Sequence, residues 1–73
     1  MSLNEKRRKQ QIYETFFEKF KRIPGYISEL QGDHIEVEVD FYSDREKIID
    51  YVVETGLNYS INQINTKKIY ILL

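Results

Sequence analysis

A small α+β domain is predicted by three features of the chain. Apolar residues recur every three or four positions between Asn4 and Arg22, they alternate strictly from Ile35 to Phe41, and a second helical period runs between Ser43 and Gly56. A period near 3.6 buries one stripe of a helix, and a period of two buries one face of a strand. Helices and strands must therefore share one core. With 73 residues the chain makes one domain, and a domain this short buries only roughly 60% of the surface that its unfolded form exposes. Its core has to be thin, and the six Tyr and four Phe supply much of the bulk.

The first helix, Asn4 to Arg22, carries Ile12, Tyr13, Phe16, Phe17 and Phe20 on one wide stripe, with Glu14, Glu18, Lys21 and Arg22 away from it. Between Glu5 and Gln11 there is no apolar residue, so residues 4–11 are expected to fray or to project past the core. Met1, Ser2 and Leu3 add nothing to the pattern and read as a cloning scar. Pro24 disfavours helical backbone at Ile23, and Pro24-Gly25 turns the chain. An aromatic stripe at this spacing is first of all a core face.

Tyr26 to Gln31 is expected to pair with the Ile35–Phe41 strand through a Gly32-Asp33 turn. That register buries Tyr26, Ser28 and Leu30, leaves Ile27 and Glu29 open, and sets Glu29 opposite Glu36. A short helical turn through Ile27 and Leu30 is the competing reading. In the next strand Ile35, Val37, Val39 and Phe41 point inward, while His34, Glu36, Glu38, Asp40 and Tyr42 point outward.

The second helix then places Ile48, Ile49, Val52 and Val53 on one side and Lys47, Asp50 and Glu54 on the other. Ser43 is in position to cap it with Glu46 at the capping-box spacing, and Gly56 stands where a positive φ ends a helix. Leu57, Tyr59 and Ile61 alternate with Asn58, Ser60 and Asn62, until Ile64 falls out of phase and marks a bulge or the strand's end. After a turn at residues 65–67, Lys68 to Leu73 is apolar on both faces, which suits a central strand.

The element order is thus α-β-β-α-β-β. Read as a circle it is the βαββαβ order of ferredoxin-like folds, opened so that the usual first strand comes last. A right-handed crossover through the second helix leaves a gap one strand wide. Filling it with the last strand gives a four-stranded, mainly antiparallel sheet of order 3-4-2-1 with both helices on one face. A fold of this kind implies no function by itself.

Functional signals are sparse. The chain has no Cys, so neither a disulfide framework nor a thiolate metal site is available. No apolar run approaches the ~18 residues of a membrane span, and a cytoplasmic protein is the expectation. His34, the single histidine, lacks any visible catalytic partner. Glu36, Glu38 and Asp40 stand roughly 7 Å apart along one strand face, too far to converge on a cation without a loop. No GxGxxG, P-loop, HExxH or GxSxG is present. The expectation is a protein without catalysis, cofactor, metal or small-molecule substrate.

Two classes remain. A protein–protein interaction or regulatory module would self-associate, or bind another protein, through the open sheet face or an edge strand, with Ile27, Tyr42, Tyr70 and Leu72 as candidate contacts. The alternative is a nucleic-acid-associated protein. Residues 1–25 carry a net charge of +4 on a remainder of −5, and Lys6, Arg7, Arg8 and Lys9 form a compact cluster that could meet phosphates. The acidic character of the open face argues against reading bases on the sheet.

Overall fold

A computed structural model describes residues 3–73 and gives the order α1 (Leu3–Phe20), β1 (Ile27–Gln31), β2 (His34–Glu38), α2 (Tyr42–Glu54), β3 (Asn58–Ile61) and β4 (Lys68–Leu72). Met1 and Ser2, two of the three residues read as a cloning scar, lie outside the described residues. The four strands form one sheet of order β1-β2-β4-β3 in which every neighbouring pair is antiparallel. That is the permuted ferredoxin-like order expected from the sequence.

Each strand sends alternate residues to one helix-covered face. Ile35 and Val37 of β2 and Ile69 and Ile71 of β4 are buried there against Phe16 and Phe20 of α1 and Ile48, Ile49 and Val52 of α2. Aromatic rings join the two helices. Tyr51 meets Phe16 and Phe20 edge-on, at centroid distances of 5.1 and 5.6 Å, the geometry in which a ring's positive edge faces a negative π surface. Phe17, on the rim of the stripe, is 39% exposed.

The β1–β2 hairpin has the register expected, with Glu29 opposite Glu36 and Gln31 opposite His34 across Gly32-Asp33. The helical alternative for this segment does not form. Gly25 is held at φ 72°, and a Cβ there would meet the Asp40 carboxylate at 2.2 Å. The turn after α1 therefore needs glycine for its backbone angle and for space.

Between β2 and α2 the structure differs from the sequence reading. The strand ends at Glu38 instead of continuing to Phe41. Val39 remains buried and its N–H donates to the Lys67 carbonyl at 3.2 Å, but the chain then leaves the sheet. Phe41, expected inside, is 56% exposed and is the N-cap of α2, with extended backbone at φ −123° and ψ 140°. Its carbonyl accepts from Asp44 N at 3.2 Å and Arg45 N at 3.1 Å. Ser43 is thus inside the first turn and caps nothing, and no side-chain cap bond forms among the described residues. The alternation continued through Asp40 and Tyr42 only because those residue types also suit a strand-to-helix connection.

Val53 is a second correction, since it is 60% exposed beside the fully buried Val52. The end of α2 is as expected. Gly56 has φ 80°, Leu57 N donates to Val52 O at 3.1 Å, and Gly56 N donates to Val53 O at 3.0 Å, which is the Schellman pattern. Ile64 lies beyond β3 and is 98% exposed. The β3–β4 loop is built instead on Asn62, whose Oδ1 accepts from the backbone N–H of Ile64 and of Asn65, both at 2.8 Å.

Two substitutions separate the core from the helix start. Phe16→Ala is expected to cost about 3–5 kcal/mol through the cavity it leaves, a large part of the stability of so small a domain. Ser43→Ala is expected to be neutral or slightly stabilising, because alanine is the better helix former inside a first turn. Chemical denaturation of both variants checks the contrast, and a Ser43→Ala loss near ~1 kcal/mol would restore Ser43 as the cap.

Candidate interaction surfaces

The face of the sheet away from the helices is uncovered, and the pairing registers arrange it in three rows. Ile27, Glu38, Lys68 and Asn62 form the first, Glu29, Glu36, Tyr70 and Ser60 the second, and Gln31, His34, Leu72 and Asn58 the third. Ile27 is 66% and Leu72 44% exposed. They lie in different rows and on different strands, so the apolar strip expected across this face is interrupted.

What interrupts it is Lys68. Its Nζ lies 3.1 Å from Glu36 and 3.9 Å from Glu38. The hydrogen bond to Glu36, and then the charges of Glu36 and Glu38, raise the Lys68 pKa. The carboxylates that the sequence lines up on β2 are thus partly neutralised by the neighbouring strand. Lys68 shares the parity of Tyr70 and Leu72, which is the signal for its face. Its distance from Glu36 depended on knowing that β4 lies beside β2.

Tyr70 is half-buried. Asn62 donates from Nδ2 to its hydroxyl at 2.7 Å, and the His34 ring meets it edge-on at 5.5 Å. His34 Nδ1 lies 3.1 Å from Asp33 Oδ1, and that hydrogen bond lowers the Asp33 pKa. His34 therefore has an orienting carboxylate, and its ring packs on Tyr70.

Tyr42 is not on this face. It opens α2, is 50% exposed, and its hydroxyl lies 2.6 Å from Thr66 Oγ1. The Arg45 guanidinium and the Lys67 ammonium lie over its ring at 4.9 and 5.4 Å. Tyr42 ties the helix start to the β3–β4 loop. Of the four candidate contacts, Tyr70 and Leu72 are brought together, Ile27 stands apart on β1, and Tyr42 belongs to another side.

Within the basic cluster on α1, Lys6, Arg7 and Arg8 are exposed and carry no ion pair among the described residues. Lys9 is tied down, donating from Nζ to the Gly32 carbonyl at 3.1 Å. A groove of about 390 Å³ runs between α1 and the end of α2, over Ile12, Phe16, Tyr51 and Leu57 with Arg8 at its rim. Among the described residues, no group of three His, Cys, Asp or Glu could hold a metal ion, and no helix is long and apolar enough to cross a membrane.

One polar cluster lies under α1. The Tyr13 hydroxyl donates to the Ser28 carbonyl at 3.3 Å. The Tyr26 and Ser28 hydroxyls are buried beside it without a formed hydrogen bond, and burial raises the Tyr26 pKa, with Ser28 partly offsetting that effect. This cluster was not legible in the sequence beyond the inward parity of Tyr26 and Ser28.

No family model matches the chain, and searches of curated proteins and of solved structures find no match either.

Tyr26 generates a prediction. Its neutral form is favoured in the folded state, so its contribution is fully present below the unfolded value of 10.0. That contribution is lost as pH rises from there through the folded pKa. Tyr26→Phe removes a buried hydroxyl that forms no hydrogen bond of good geometry among the described residues, and is expected to be neutral or stabilising by up to ~1 kcal/mol while shallowing the alkaline loss of stability. Urea melts of wild type and Tyr26→Phe between pH 8 and pH 11 test this, and a clear destabilisation of the variant at pH 8 would show that the hydroxyl is satisfied.

Proposed function

We propose that this chain is a non-catalytic interaction module that works by self-association through its sheet, in its simplest form as a homodimer. The observation that supports this reading is a four-stranded sheet covered on one face only, with Ile27, Leu72 and part of Tyr70 left outside the core of a 73-residue chain. Helix-free sheet surface in so small a domain is a common place for another chain to pack. A twofold contact requires only that a surface be complementary to itself. The cross-strand ion pairs of Lys68 limit how much of the open face can be dehydrated, since burying charge is costly. Contact at a corner of that face or along an edge strand fits better than contact at its centre. Sedimentation velocity of the full chain over a concentration series tests the proposal: a shift from monomer to dimer is expected, and a monomer at every concentration overturns it.

A second reading rests on Lys6, Arg7 and Arg8, three exposed cations without ion pairs among the described residues at the head of α1. Contacts from them to phosphate would give nucleic-acid binding blind to sequence and steeply weakened by salt, as counterions are released. Replacing Lys6, Arg7, Arg8 and Lys9 by Gln is then expected to abolish retention while the circular dichroism stays unchanged. Wild type that binds neither duplex nor single strands at low salt would remove this reading.

A further inference from the structure

We propose that the outer edge of β3 is the seam of the homodimer: two copies pair their β3 strands antiparallel about a twofold axis and extend one sheet across both. This inference rests on the self-association reading and assigns it a place.

The hydrogen-bond parity of β3 fixes what its outer edge offers. Asn62 N donates to Lys68 O at 3.0 Å, and these residues face each other when the β3–β4 register is continued by one position. Hydrogen-bonded pairs alternate along an antiparallel ladder, so Ser60 bonds to Tyr70 and Asn58 to Leu72. The N–H and C=O groups of Tyr59 and Ile61 then point away from β4, and no hydrogen bond to them is formed among the described residues. They are a row of unpaired donors and acceptors, the template to which another strand adds.

The other edge of the sheet is protected. By the same parity Ser28 and Leu30 point outward from β1, but Tyr13 donates to the Ser28 carbonyl at 3.3 Å, and Lys9 reaches the Gly32 carbonyl at the hairpin tip at 3.1 Å. Glu29 sits at the centre of β1, so a twofold copy there would bring like charges together. β3 has none of these devices. Its residues Asn58, Tyr59, Ser60 and Ile61 include no charge and no proline. A second copy therefore meets no repulsion at β3, and this selects a copy of the same chain over a charged partner.

The flanking layer supports the same seam. Tyr51 of α2 faces α1, and Val53, two residues on and about 200° around the helix, lies on the opposite flank. α2 packs on β3 and β4, so that flank overlooks the β3 edge. Val53 is 60% and Tyr59 38% exposed, and they are the part of the exposed apolar surface that lies on this side. Two strand spacings of about 4.8 Å match one helix–helix distance of about 8–10 Å. Pairing β3 with its copy thus brings the two α2 helices side by side at packing distance and covers Val53. Setting Tyr59 of one copy opposite Ile61 of the other uses every outward backbone group and places the two Ser60 residues face to face. The seam is short and at the low end of interface sizes, so association is expected to depend on concentration.

The test uses the full chain, which has no native Cys. Ser60→Cys would face its copy in a non-hydrogen-bonded pair at a Cα separation of about 4.5 Å, within disulfide reach. Mild oxidation is expected to give a covalent dimer with Ser60→Cys and none with Glu29→Cys on the opposite edge. Tyr59→Lys places like charges across the seam and is expected to raise the dimer dissociation constant at least about tenfold with the circular dichroism unchanged. A wild-type dimer that survives Tyr59→Lys, or one lost in Leu72→Glu with no Ser60→Cys cross-link, overturns the seam and leaves self-association standing. A wild type that is monomeric at every concentration overturns both.

Discussion

The crossover from β2 through α2 to β3 is the constraint on which the rest depends. It carries the chain past a slot one strand wide, and a sheet with an empty central slot has no continuous core. β4 fills it, pairing antiparallel with β2 on one side and β3 on the other. Ile69 and Ile71 are buried because they occupy that slot. The final residue is held too, since Leu73 N donates to the Asp33 carbonyl at 3.0 Å. The last strand is therefore what joins the β1–β2 hairpin to β3, and these distant pairings make closure the slow, entropically costly part of folding.

Once the slot is filled, the helices have one way to pack. β1 lies beneath α1, β3 and β4 beneath α2, and the contact between the helices is aromatic. Lys19 lies over the Tyr51 ring at 4.7 Å, so its aliphatic stem can cover the junction while its ammonium stays in water. Every fully buried apolar side chain among the described residues belongs to this one layer. The opposite face is left to Glu29, Glu36, Glu38 and Lys68, whose cross-strand pairing is worth little to stability but keeps the face wet.

Elements with a clean period were legible. The stripe of α1, the alternation from Ile35 to Val39 and the glycine end of α2 each follow from local spacing, and even the strand order followed from the two-sided apolar character of β4. The start of α2 was not legible, because Phe41 caps it through its backbone and any residue can do that. Ser43 and Glu46 formed a convincing local signal that the path of the chain overrides. Val53 failed for a related reason: the width of a buried stripe depends on how many neighbours the helix has, and α2 has a helix on one flank only. On the surface, Leu72 and Tyr70 were placed correctly by parity, whereas the contact of Lys68 with Glu36 and the choice of which β3 backbone groups point outward are products of the register between strands. Such features are invisible to any short window of sequence.

The two sides of the molecule are unlike in a way that bears on both functional readings. α1 lies against β1, and Lys9 anchors its basic head to the β1–β2 turn. Lys9, Glu29 and the Tyr13 hydroxyl thus gather on the β1 side, while Arg8 borders the groove toward the end of α2. The β3 side carries no charge on its strand and leaves its backbone open. A twofold contact at β3 would place the two β1 strands, with Glu29 and the Lys9 anchor, at the outer ends of a doubled sheet. β1 and β3 lie three strand spacings of about 4.8 Å apart, more than one Debye length of roughly 8–10 Å, so charge on β1 would oppose pairing at β3 only weakly. Pairing at β3 would leave Lys6 and Arg7, exposed on α1, outside the strand seam, and a dimer would then carry two cationic patches in place of one.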